Sequence, residues 1–178
     1  MLTFSIEPVN VEQVLRGISH IPGAVEKAAS RAINRTLRGA RKDAGTLAKR
    51  RYTLPAGIVT RSLSIKASGL SGEMKSKGRR NPLEKAKVSG GLNGKRVRAI
   101  VVRGQGGIIN RAFRQKYHPG NGLFVRTTKA RLPIKKLTTV SAPGMISHPT
   151  VSTPVSNKIQ QRLEINLLHE ASAILGGF

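Results

Sequence analysis

Apolar side chains recur along this chain with a period of two, then for a long stretch with steps of three and four, then with two again, and finally with helical spacing near the end. Leu2, Phe4 and Ile6 alternate with Thr3 and Ser5, which predicts a short strand ended by Pro8. Asn10 with Gln13 three positions on has the form of a capping box. A short helix through about Ser19 is expected there, with Val11, Val14, Leu15 and Ile18 on one face. Pro22 then sits in the first turn of the strongest element, a helix running to about Arg51. Its stripe is Val25, Ala28, Ala29, Ala32, Ile33, Leu37, Ala40, Ala44, Leu47 and Ala48. About 30 residues at 1.5 Å each span roughly 45 Å. A stripe made mostly of alanine lets such a helix approach its neighbour closely. Gly39 and Gly45 lower its propensity and mark an expected kink or break.

Tyr52 to Leu63 reads as a turn and a second short helix from about Pro55, and Ser62–Ser68 as a strand with Leu63, Ile65 and Ala67 on one face. Residues 69–81 are mostly Gly, Ser, Lys and Arg, an exposed loop or a weak strand. Leu83–Val88 alternates in part, and Ser89–Gly94 is a Gly-rich turn. Val97–Val102 is β-branched and continuous enough to be a central strand, interrupted by Gly104–Gly107. Residues 108–117 carry a mixed signal, helical or extended, and His118–Gly122 is a turn. Leu123–Thr127 is a strand that returns through Lys129 and Ala130 into Leu132–Leu137, with Pro133 confining the return to an edge or a bulge. A loop with Pro143 and Pro149 leads to a last helix from Ser152 or Thr153, with Pro154 in its first turn. Val155, Ile159, Leu163, Leu167, Leu168, Ala171, Ile174 and Leu175 are its expected apolar face, and Gly176-Gly177 its stop. This order predicts one α+β domain over residues 1–178: a mostly antiparallel β-sheet packed by a long N-terminal helix and a C-terminal helix, with 69–96 and 138–152 as extended loops.

Charge changes the picture. In 178 residues there are 32 Lys and Arg against 8 Asp and Glu, a net charge of +24. A domain so charged repels itself, and a polyanion relieves the repulsion. Residues 27–51 hold nine bases and one acid, Asp43, and residues 95–136 hold twelve bases and no acid. On the long helix Arg31, Arg35, Arg38, Arg41, Lys42, Lys49 and Arg50 lie opposite the alanine stripe, a pattern equally compatible with simple solvation.

The same counts exclude several chemistries. With no Cys there is no disulfide framework, thiolate zinc site or redox centre. No apolar run approaches the roughly 20 residues of a membrane span, and the N-terminus lacks the regions of a signal peptide. The carboxylates are scattered, with none between Glu84 and Glu164, and His20, His118, His148 and His169 share no metal-ligand spacing. Ser141 and Ser147 lie near His148 without an acid close in sequence. Ser89–Arg96 lacks the first glycine and the final Ser/Thr of a P-loop and precedes a strand. No catalytic residue, metal ligand or cofactor is therefore expected. Nucleic acid is the serious candidate ligand, through backbone contacts that carry no sequence information. Only Phe113, Tyr117 and Phe124 lie in the 95–136 region, too few aromatics for a base-stacking reader.

Two segments carry a resemblance. Ala28-Ala-Ser-Arg-Ala-Ile-Asn-Arg-Thr36 on a long Ala/Arg helix, followed by Tyr52-Thr-Leu-Pro55, resembles the opening of the prophage minor tail protein Z family, the tail-completion proteins of lambda-like phages. Gly122-Leu-Phe-Val-Arg-Thr-Thr-Lys-Ala-Arg-Leu-Pro-Ile-Lys-Lys-Leu-Thr138 resembles a hairpin of these and of related head–tail neck proteins, where it leads to a Pro-containing loop and a long C-terminal helix. Most of residues 24–175 are covered; 69–110 depart most. The resemblance implies a non-enzymatic virion protein at the head-proximal end of a long tail, made in the host cytoplasm. It implies a ring of copies, six to match the tail tube, that touches the tail terminator, tube and head-neck proteins and encloses the DNA channel. Arg31, Arg35, Arg38 and Arg41 on the helix, and Arg126 and Arg131 on the hairpin, are the candidate contacts for DNA or another polyanion. The rival expectation is a free, non-specific nucleic-acid-binding protein of ribosomal or nucleoid type. An enzyme acting on nucleic acid ranks last, because clustered acids for a metal are missing.

Overall fold

The computed structural model describes residues 2–6, 16–91, 96–115 and 122–176. The expected capping box at Asn10 and Gln13 lies outside them; residues 16–18 are helical. The α+β class holds. Eleven strands and four α-helices follow one another among the described residues: β1 (Leu2–Ile6), α1 (Ala24–Arg51), α2 (Ala56–Ser62), β2 (Leu63–Ser68), β3 (Ser71–Ser76), β4 (Arg80–Pro82), β5 (Lys87–Ser89), β6 (Val97–Val102), β7 (Gln105–Ile109), β8 (Ala112–Gln115), β9 (Gly122–Arg126), β10 (Ile134–Lys136), β11 (Thr138–Ser141), α3 (Ala142–Ile146) and α4 (Pro149–Leu175).

All strand pairing is antiparallel, but the expected single sheet is divided into four pieces, ordered β1-β3-β2, β5-β6-β7, β10-β9-β8 and β11-β4. Three strands are only three residues long, and the register slips between Ile100 and Val102 and between Thr139 and Ser141, so no ladder runs far enough to unite them. Residues 69–96 are not one extended loop. β3 is the central strand of the first sheet, with Met74 opposite Phe4 on one side and Ile65 on the other. Its inward positions are Gly72, Met74 and Ser76, which give no apolar alternation. They are small because α1 takes the space: a Cβ on Gly72 would lie 2.2 Å from Ile33 Cγ2.

Residues 138–152 likewise fold. Ser141 caps α3 by accepting from the Gly144 N–H, and α4 begins at Pro149, earlier than expected, behind His148, whose Nδ1 accepts from the Thr150 N–H. Pro154 therefore lies inside the helix rather than in its first turn.

The core lies chiefly between α1 and α4, which pack along each other, and between α1 and the β1-β3-β2 sheet. The alanines at 28, 29, 32, 40, 44 and 48 are fully buried or nearly so, as are Ile33 and Leu37. α4 answers with Val151, Val155, Ile159, Leu163, Leu167 and Ala171. Leu168 and Leu175, expected on this face, point away from it and are half exposed. α1 runs unbroken through Gly39 and Gly45. Both glycines give access to neighbours: a Cβ on Gly45 would stand 2.7 Å from Thr60 Cγ2 of α2, and one on Gly39 would stand 2.6 Å from the Arg162 guanidinium of α4. The C-terminal end of α1 is tied to β6 by Thr53 N–H to Val101 O (2.9 Å) and Arg103 N–H to Arg51 O (2.8 Å).

Candidate functional site

The outward side of α1 follows from its inward one. When alanines fill the inner stripe, positions 31, 35, 38 and 42, spaced four, three and four apart, fall in one line on the opposite side. The structure places Arg31, Arg35, Arg38 and Lys42 there, all exposed. Eleven steps of 1.5 Å from Arg31 to Lys42 make a line about 16 Å long. With Ser30, Asn34 and Gly39 these side chains wall an open depression of about 620 Å³. Gly39 adds no side chain to its wall.

Few acids reach this groove. Glu170 of α4 approaches Arg31 at 3.9 Å and Arg35 at 3.8 Å, with both guanidinium side chains half exposed. Arg38 and Lys42 have no acidic partner among the described residues. Asp43, the acid nearest in sequence, faces away toward α4, where it holds Arg162 at 2.5 Å and Lys158 at 3.5 Å. The groove thus keeps a net positive charge, and its donors suit phosphate or carboxylate oxygens.

Arg41 does not belong to this line. It is half buried, and its Nε–H donates to Thr60 O at 2.6 Å, holding α2 against α1. In this position the residue is a tie between helices. Arg126 and Arg131 form a second, separate group. Arg126 ends β9 and lies over the Phe113 ring of β8, 4.8 Å from its centroid, with Phe124 stacked on Phe113 at 6.2 Å. Such a cation–π contact fixes the guanidinium over the ring while leaving donors to solvent. Arg131 stands exposed in the loop between β9 and β10, which is pinned by Thr127 Oγ1–H to Pro133 O and Thr128 Oγ1–H to Leu132 O. α1 packs mainly on α2, α4, β2 and β3, whereas this hairpin packs on β8, so the two groups belong to different parts of the molecule.

The residues weighed for catalysis take other parts. Ser141 and His148 are helix caps, and the Ser147 hydroxyl donates to Pro143 O. Among the described residues no three His, Asp or Glu side chains come together as metal ligands. No helix there is long and apolar enough to cross a membrane. Lys42 and Asn34 enter the groove without having been singled out as site residues; the step of four from Arg38 to Lys42 was the available signal. No protein-family model matches this chain, no curated protein matches it, and no solved structure matches it.

Proposed function

We propose that the chain is a structural, non-enzymatic tail-completion or neck protein of a phage or prophage. In this reading copies form a ring, six-fold to match the tail tube, at the head-proximal end of a long tail. The ring caps the tube, joins it to the head and surrounds the DNA channel. The observation that carries the reading is the order of elements around two parts: a long Ala/Arg helix whose outer line of bases is largely unneutralised, and the 122–138 hairpin leading through a proline-containing turn into the long α4. Those are the segments whose sequence resembles the prophage minor tail protein Z family. Arg31, Arg35 and Arg38 supply the contact to DNA backbone, without base reading, and Arg126 and Arg131 add a contact on the hairpin.

The groove itself favours a second reading, a free protein that binds nucleic acid non-specifically, since a line of exposed bases serves either purpose. The two separate by experiment. The solution mass is measured by light scattering after nuclease treatment in high salt, and the particles are imaged alone and with purified phage tail tubes. A discrete ring, or rings seated on tube ends, is the expected result. A chain that stays monomeric with tubes yet binds duplex DNA with steep salt dependence would transfer the function to the second reading.

A further inference from the structure

α4 has a second apolar face that none of the described residues covers. Ile165, Leu168 and Leu175 are 64%, 50% and 58% exposed, with Ser172 in the same line. Steps of three, four and three are the spacing of a coiled-coil seam, which a helix uses against another protein surface rather than against water. The seam also stands apart in charge. From residue 163 to the end the sequence contains no Lys or Arg but contains Glu164 and Glu170. Glu164 is exposed beside Ile165 and Leu168, and no base pairs with it among the described residues. An apolar strip edged by a free carboxylate, on a protein of charge +24, fits a basic surface with an apolar point.

This chain displays such a surface at the β9–β10 loop. Leu132 is 66% exposed, and Lys129 and Arg131 beside it are exposed without acidic partners among the described residues. We propose that the occupant of the α4 seam is a second copy of this chain: Leu132 of one protomer sits on Ile165 and Leu168 of the next, with Lys129 and Arg131 against Glu164. The inference rests on the ring reading and gives it a contact. α4 packs chiefly on α1 and α3, and the loop belongs to the β8–β10 sheet, so the two surfaces lie on different elements. Repeated head to tail, a contact between two different surfaces generates a ring where the rotation closes, which is the arrangement the ring reading requires. It also sets the chain's scarce acid against its bases, which lowers the repulsion between copies of equal charge.

The test is light scattering and imaging of the full chain at moderate salt, with and without tail tubes. The double substitution I165D/L168D is expected to shift the oligomer to monomer while leaving the thermal melt in place, because both positions are at least half exposed. E164R is expected to raise the half-assembly concentration about tenfold, the effect of one rim charge pair reversed. Mixing E164R chains with K129E/R131E chains is expected to restore assembly, a readout independent of any damage to folding. An oligomer whose mass ignores both sets of changes overturns the contact and leaves the ring standing. A wild-type monomer that seats on tubes as single copies rather than as a ring, and loses that seating with I165D/L168D, overturns it in favour of a tail protein as the occupant. A wild-type monomer that seats on no tube overturns both the contact and the ring.

Discussion

Turned away from their shared seam, α1 shows solvent Arg31, Arg35, Arg38 and Lys42, while α4 shows it Ile165, Leu168, Leu175 and Glu164. Turned toward the seam, the helices divide the work by size. α1 supplies alanines and α4 supplies Ile159, Leu163 and Leu167. Small against large brings the two axes close, and polar anchors fix the register: Asp43 holds Arg162 and Lys158, and Asn166 Nδ2–H donates to Thr36 Oγ1 at 2.9 Å. The inner faces answer to one physical demand, close packing, and so look alike in logic. The outer faces share no such demand: one is cationic and the other apolar.

The sharpest break between inner and outer sides is expected at adjacent residues of α4. Leu167→Ala empties a site that is 1% exposed and should cost about 2–5 kcal/mol, whereas Leu168→Ala, at a half-exposed position, should stay within about 0.5 kcal/mol of wild type. Chemical denaturation of the two variants checks this, and equal losses would mean that α4 is rotated from the position described. Next in size, Ala40→Leu puts a large side chain where both helices already touch and should cost about 1–3 kcal/mol. A melt unchanged by it would place the alanine stripe at the surface. Smaller again, Thr36→Val removes the acceptor for the Asn166 amide at a buried site and should cost about 1 kcal/mol, read from the shift in the denaturation midpoint. On the outer side of α1, neutralising Arg31, Arg35 and Arg38 to Gln should barely move stability. It should make the plot of log binding constant to duplex DNA against log salt shallower by roughly 2.7, at about 0.9 per phosphate contact. An unchanged slope would remove this groove from any contact with DNA backbone.

How much of this was legible depends on whether a residue's neighbours are close in sequence. α1 stood out because its period and its alanines are local facts, and it spans Ala24–Arg51 much as its pattern predicts. The β9–β10 hairpin and the β6 strand were legible for the same reason. β3 was not, because its inward side chains are cut down to fit Ile33 and Leu37, which lie far away in the chain. The start of α4 was hidden by a histidine acting as a cap, outside the usual Ser, Thr, Asp and Asn. On α1, nothing local separates Arg41 from Arg38: only the arrival of α2 at Gly45 turns one inward to Thr60. The outward placing of Leu168 was equally out of reach, since a helix with apolar residues on two sides does not say which side its partner takes.

One consequence of the pairing of α1 with α4 concerns time rather than space. Asp43 and Lys158 are 115 positions apart. At a ribosomal rate of about 5–20 residues per second, roughly 6–23 s pass between the emergence of one and the other. Through that interval the part of the alanine stripe that α4 will cover has no partner. The pairing of the two long helices is therefore the last part of the core to close, made only once the final helix has left the ribosome.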